Sequence, residues 1–366
     1  MPCLCSWAAR LDSQVIGRAD SAWSIAIPPP PQPPVEPPPT NSTALLKVLQ
    51  CFGLDLPNLK IFYIGYNFFT GQIPDSLSNA SALEGIDVIQ NNFTGKVPLS
   101  FRSLLKLKVL SIGYNVLGNN ELDDLKFVSS LINCSNLNFL SFAGNQFGGV
   151  LPSSIGNLSV LNRLYFQENR IVGSISKEII DLKNLTLLSA LGNIFVDGIP
   201  DSIGMLSELV TAYFHDNQLT GEIPSSFGNM SQLESLFMFN NHFTGTIPAS
   251  LASCKQLLFL YVDKNKLRGN IHPLMEITSL LTFDVASNSF TGFLPSFENL
   301  SRLIDFRVSH NKFSGDIPRS IGKCLALENI WMQNNSFQGL IPYLKDLTAL
   351  KQFDLSSNKV LPLYLL

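Results

Sequence analysis

Charge is scarce in this sequence. Only 14% of its 366 residues are charged, and the formal net charge is −3. Such a balance builds no basic stripe for nucleic acid and no cationic face for an anionic membrane. Long apolar runs are missing too: no stretch of 18 or more hydrophobic residues occurs, so none reads as a transmembrane helix. The N-terminal stretch is interrupted by Asp12 and Asp20 and does not read as a signal peptide. The four histidines, His215, His242, His272 and His310, are far apart in sequence, and no H-E-x-x-H, Cys/His cluster or nucleophile-elbow motif accompanies them. No glycine-rich loop, catalytic-loop motif or DFG is found in these residues. The sequence therefore carries no case for an enzyme, a metal or a cofactor.

Three zones are present. Residues 1–27 form an irregular N-terminal segment without a period, and 28–40 is a proline-rich linker expected to adopt extended polyproline II. From 41 to 366 the chain repeats itself. The register is set by Asn67, Asn91, Asn115, Asn145, Asn169, Asn193, Asn217, Asn241, Asn265, Asn288, Asn311, Asn335 and Asn358, spaced by 23 or 24 residues with a single interval of 30. A leucine stands eight residues before every one, from Leu59 to Leu350, and apolar residues fill positions −5 and −3. Two residues after the asparagine phenylalanine dominates, as at Phe69, Phe93, Phe147, Phe195, Phe243, Phe290, Phe313 and Phe337.

This is the L-x-x-L-x-L-x-x-N pattern of a leucine-rich repeat. The spacing predicts a solenoid of about 13 coils, the last incomplete, with short parallel strands and few true helices. No coil can bury its apolar stripe alone, so stability comes from stacking on neighbours. The asparagine is a polar residue in the interior, and its amide is expected to bond to the turns between coils. The +2 phenylalanines should stack as a second column across the coil.

The motif F/L-x-G-x-I-P follows, as in FTGQIP (69–74), LTGEIP (219–224) and FSGDIP (313–318). Here the chain resembles the ectodomains of plant leucine-rich-repeat receptor-like kinases. Its 30-residue interval, LGNNELDDLKFVSSLINCSNL (117–137), is similar to an insertion of the subgroup that senses flagellin and elongation-factor epitopes. The resemblance implies recognition of a peptide or protein ligand at the cell surface, in defence or developmental signalling, together with a leucine-rich-repeat co-receptor kinase. It also leads one to expect cysteine-paired caps, a membrane helix and a kinase, none of which is visible here, so the chain reads as a truncated receptor. Two alternatives stay open: a secreted inhibitor of a pathogen cell-wall enzyme, and a non-functional fragment of a receptor gene.

Strand alternation places positions −6, −4 and −2 on the solvent side, the concave face of such a solenoid. There the −4 column holds Tyr165, Tyr213, Phe237 and Tyr261, flanked at −2 by Gln167, His215, Phe239 and Asp263. These eight residues are the predicted ligand-binding surface, on the expectation that a fold leaves aromatic rings in solvent only for a reason. Arg307, His310 and Trp331 form a second candidate patch. Nine N-x-S/T sequons occur, and Asn79, Asn133, Asn157, Asn229 and Asn299 share one column, 12 before the register asparagine, which would set glycans along one flank. Cys134, Cys254 and Cys324 share the −11 column with leucine and isoleucine, which predicts small core residues and not disulfides.

Overall fold

The computed structural model describes residues 56–361. The described residues belong to a single compact unit. The segment 1–27 and the tract 28–40 lie outside the described residues, as do Cys3, Cys5, Cys51 and Asn41. No helix among the described residues is long and apolar enough to cross a membrane.

Each coil contributes one three-residue strand to a 13-stranded parallel sheet whose order follows the chain, from Ile61–Tyr63 to Gln352–Asp354. Pairing joins equivalent positions, as in Thr211↔Ser235↔Phe259. The middle residue of each strand points inward, where Leu188, Ala212, Leu236 and Leu260 are fully buried. Opposite the strands, most coils make a five-residue 3-10 turn entered through proline, as at Pro200 before Asp201–Met205 and Pro224 before Ser225–Asn229. The preset φ of proline suits that entry.

The 30-residue interval does not disturb the register, since Val109↔Phe139 and Leu110↔Leu140 still pair. Its extra residues go into the loop after Leu117 and into one α-helix turn, Lys126–Ser130. Asp124 pins that loop: its Oδ2 accepts from the backbone N–H groups of Asn119, Glu121 and Gly148.

The asparagine ladder forms as expected. Asn217 Nδ2 donates to the carbonyls of Phe214 and His215 in its own coil and of Ala190 in the preceding one, while its Oδ1 accepts from Phe195 N–H. The same four-bond pattern recurs at Asn115, Asn169, Asn241 and Asn311. One feature escapes the sequence pattern. The residue before each ladder asparagine is left-handed, even where it is Tyr114, Glu168, Asp216 or Lys264 and not glycine. That conformation is costly for a residue with a Cβ, and the asparagine bonds hold it in place.

The phenylalanine column also forms, with Phe69 over Phe93, Phe290 over Phe313 and Phe313 over Phe337 at 6.2 Å. It sits in short secondary sheets that the repeat pattern does not announce, such as Arg268–Gly269, Ser289–Gly292, Lys312–Asp316 and Ser336–Gln338. The motif glycine pairs with the next coil's phenylalanine there, as in Gly292↔Phe313. Gly292 has a φ of 89°, a region open to glycine at little cost. Cys134, Cys254 and Cys324 are buried free thiols, as the register predicts, each donating to a backbone carbonyl.

Candidate ligand-binding face

The solvent side of the long sheet carries the residues that the alternation selects, but not in the state the sequence suggests. Tyr213, Phe237 and His215 are 5%, 4% and 3% exposed, and Tyr165 is 9% exposed. Only Gln167, Phe239, Tyr261 and Asp263 are half-buried. The expectation of rings left in solvent is thus corrected for Tyr165, Tyr213, His215 and Phe237. The reason is geometric. Strands about 4.8 Å apart match the spacing of stacked rings. Tyr213 stacks on Phe237 at 4.9 Å and Phe237 on Tyr261 at 5.0 Å, so the rings bury one another. His215 stacks on Phe239 at 4.1 Å in the adjoining column.

The row is also interrupted. Ser189 lies between Tyr165 and Tyr213 in the sheet, and Tyr165 instead meets Phe139 in a tilted contact at 5.5 Å. Tyr165 and Gln167 therefore form a separate patch, and the continuous surface runs from Tyr213 and His215 to Tyr261 and Asp263.

Beyond Tyr261 the face turns polar. Asp284 and Asp305 are buried, and the Arg307 guanidinium lies 3.8 Å from a carboxylate oxygen of each. Arg307 also covers the Trp331 ring at 3.9 Å, joining two members of the second sequence patch. The third, His310, stands apart on an exposed turn beside Asn334. Asp305 accepts from Asn329 Nδ2 at 2.5 Å, and Asp284 from Ala286 N–H at 3.0 Å. Sequence reading missed Asp284 and Asp305; their signal was consecutive acidic residues in outward columns beside Asp263.

Burial and the facing Asp284 push Asp263 up to about 8. Burial pushes Asp284 up to about 6, opposed by the Ala286 N–H and by Arg307. Burial likewise lowers His215 to about 4, leaving a neutral imidazole whose Nδ1 has no hydrogen-bond partner. The folded chain thus keeps protons on the aspartate pair that an unfolded chain releases near 3.8. Stability from this pair is complete at pH below about 4 and falls as pH climbs through about 6 to 8. Asp263→Asn is expected to remove most of that slope and to stabilise the chain above pH 8 by on the order of 1–2 kcal/mol. Urea titrations across this range check it, and an unchanged slope would mean Asp263 ionises as it does in the unfolded chain.

Among the described residues the carboxylates of Glu121, Asp123 and Asp124 come within 4.8 Å of one another. Lys96 bridges Glu121 at 3.0 Å and Asp123 at 2.9 Å, and Lys126 meets Asp123 at 3.3 Å. Hydrogen bonds from these lysines hold Asp123 down to about 2. Two of the three carboxylates are thus paired with lysines, and Lys96 fastens the insertion to the preceding coil.

The predicted sequon column occupies the flank across from the sheet. Asn79, Asn133, Asn157 and Asn229 close 3-10 turns, Asn299 lies in an equivalent turn, and all five are exposed.

Comparison with known proteins agrees with this architecture. The Leucine Rich Repeat family model matches residues 58–80, 136–158, 208–230 and 232–254. Receptor-like protein 41 of Arabidopsis thaliana is 36% identical over 146 residues, 34% of this chain and 16% of that protein. Receptor kinase-like protein Xa21 of Oryza sativa subsp. japonica is 42% identical over 83 residues, 22% of this chain and 8% of that protein. The matches thus span less than a fifth of the length of these relatives. Among solved structures, the plant peptide hormone receptor RGFR1 in complex with RGF2 superimposes with a TM-score of 0.76 at 28% identity, covering 85% of this chain and 53% of that one.

Proposed function

We propose, from the premise that this chain carries a leucine-rich-repeat domain homologous to plant receptor-like proteins and receptor kinases, that it recognises an extended peptide or protein segment on the solvent face of its long sheet. The observation that carries this is the continuous Tyr213–Phe237–Tyr261 stack, which ends beside Phe239 and Asp263 with Asp284, Arg307 and Trp331 on the next three strands. Aromatic side chains already packed against each other lose little freedom on binding, and such rigid surfaces favour hot spots. Tyr213 and Phe237 act from beneath, as the floor that fixes Phe239 and Tyr261. The half-buried pair Phe239 and Tyr261, with Asp263, is the part a ligand touches. Gln167 and Tyr165 form a second contact two coils away.

The setting is the cell surface, where the module would act with a co-receptor kinase in defence or developmental signalling. Support comes from the receptor relatives and from the peptide held by RGFR1. The sequon column, exposed on the flank away from the aromatic stack, suits a glycoprotein that keeps its recognition face bare. Secretion of the chain from plant cells is expected to yield endoglycosidase-sensitive mass at Asn79, Asn133, Asn157, Asn229 and Asn299. Peptide mapping that finds these five unmodified in secreted material would remove that part.

The binding test is selection of a displayed library of random 12-residue peptides on the full chain. Recovered peptides are expected to lose about 10-fold or more in affinity for a Phe239→Ala, Tyr261→Ala variant, while its unfolding midpoint in urea shows it folded. Peptides that bind both proteins equally would place the recognition surface elsewhere.

A further inference from the structure

Arg307 is placed on the face as a cation with incomplete satisfaction. Its two terminal nitrogens stand 3.8 Å from Asp284 and Asp305, beyond hydrogen-bond reach, and its Nε is buried without a partner. Asp305 is already committed to Asn329, and Asp284 to the Ala286 N–H. Asp263 follows the strand Phe259–Tyr261, and Asp284 ends the neighbouring strand, so the half-buried Asp263 and the buried Asp284 lie on adjoining coils, Asp284 beside the guanidinium. Lys264, exposed at the edge of the same coil, and the Tyr261 phenol complete the ionisable groups facing this corner. Two buried carboxylates thus flank one half-buried arginine, and Asp284 in turn opposes the ionisation of Asp263 on the adjoining coil.

We infer that Asp263 and Asp284 form a proton-operated charge selector around Arg307. With both carboxylates protonated, Arg307 balances Asp305 alone, and the guanidinium over Trp331 is open to an anionic group of a ligand. When both release their protons to solvent, the corner holds three carboxylates against Arg307 and the exposed Lys264, and it prefers a cationic group. The half-buried Tyr261 ring, one strand from Asp284, offers a cation a favourable contact in that state. The titration of the pair falls in a range where this exchange completes between about pH 5 and pH 9. The selector deepens the proposed recognition face and rests on that reading for its biological use, but its operation needs no natural ligand.

The test uses the full chain with two probes that keep their charge at every pH, benzenesulfonate and benzyltrimethylammonium, followed through the Trp331 indole N–H and Arg307 Nε–H resonances. The expected result is a reversal. Benzenesulfonate should bind several-fold better than benzyltrimethylammonium at about pH 5 and several-fold worse at about pH 9. The Arg307 resonance should titrate between those limits, and an Asp263→Asn, Asp284→Asn variant should favour the anion at both pH values with a flat Arg307 titration. An Arg307 resonance that does not move with pH, or the same probe preference at both ends, overturns the selector. So does a double variant that titrates like the parent. Peptide selection that yields no binder would sink the recognition reading while leaving a reversal of probe preference intact.

Discussion

Replacing Asn217 by alanine is expected to destabilise the repeat unit by about 2–4 kcal/mol, a large fraction of what holds most domains folded. The side chain donates to Ala190, Phe214 and His215 and accepts from Phe195. Two of those carbonyls keep a second amide donor, since Asn193 also reaches Ala190 and Asn241 also reaches Phe214. The Phe195 N–H has no such substitute. It would remain in the interior without an acceptor, and an orphaned buried donor costs more than the net worth of the bond it made. Asp216, left-handed at a φ of 55°, would also lose the two bonds that fasten its turn. Asn67 provides the contrast, because it is exposed and among the described residues donates only to Ile64 and Gly65. Asn67→Ala is expected to cost under about 1 kcal/mol. Urea unfolding of both variants checks the difference, and equal losses would refute the account of the ladder as an interior device.

Phe142→Ala should cost about 3–5 kcal/mol, the range for emptying an aromatic site in a packed core. Phe142 is fully buried and meets three rings: Phe127 and Phe147 edge-on at 5.4 and 5.8 Å, and Phe166 stacked at 5.8 Å. Phe127 belongs to the α-helix turn Lys126–Ser130, so the cavity would open under the inserted loop. Coils couple mainly to their neighbours. The damage should therefore be local, with backbone amides over 119–135 exchanging with solvent well before those of the strands beyond. A loss under about 1 kcal/mol, or exchange that rises evenly along the chain, would show that the insertion is held by other contacts.

The sequence made the coil count, the strand positions, the buried asparagine and the second phenylalanine column legible because each is a column, repeated thirteen times with little noise. The secondary sheets were not legible. They arise where Gly292 of one coil meets Phe313 of the next, a pairing between coils that no single repeat spells out. Nor were the left-handed residues, since Tyr114, Glu168 and Lys264 share no chemistry; the asparagine after them sets the turn. On the recognition face the columns identified which side chains point outward, but not how far they stay in water. Tyr213 and Phe237 point outward and are nonetheless buried by their neighbours in the sheet. The polar corner was half visible, as Asp263 and Arg307, because Asp284 acquires its meaning only from the residues across the adjoining strands.

The ring spacing along the face has a consequence for the shape of what lies on it. From Tyr213 to Tyr261 the stack advances by 4.9 and then 5.0 Å, so a two-coil step is a little under 10 Å. A polypeptide in polyproline II rises about 3.1 Å per residue and completes a turn in three, about 9.3 Å. Every third side chain of such a guest returns to the same side almost in phase with every second coil. A β-strand guest, with the same side facing down every second residue at about 6.6 Å, drifts out of phase within one step. For the ligand proposed above, the coil spacing that these mostly buried rings mark suits a threefold guest.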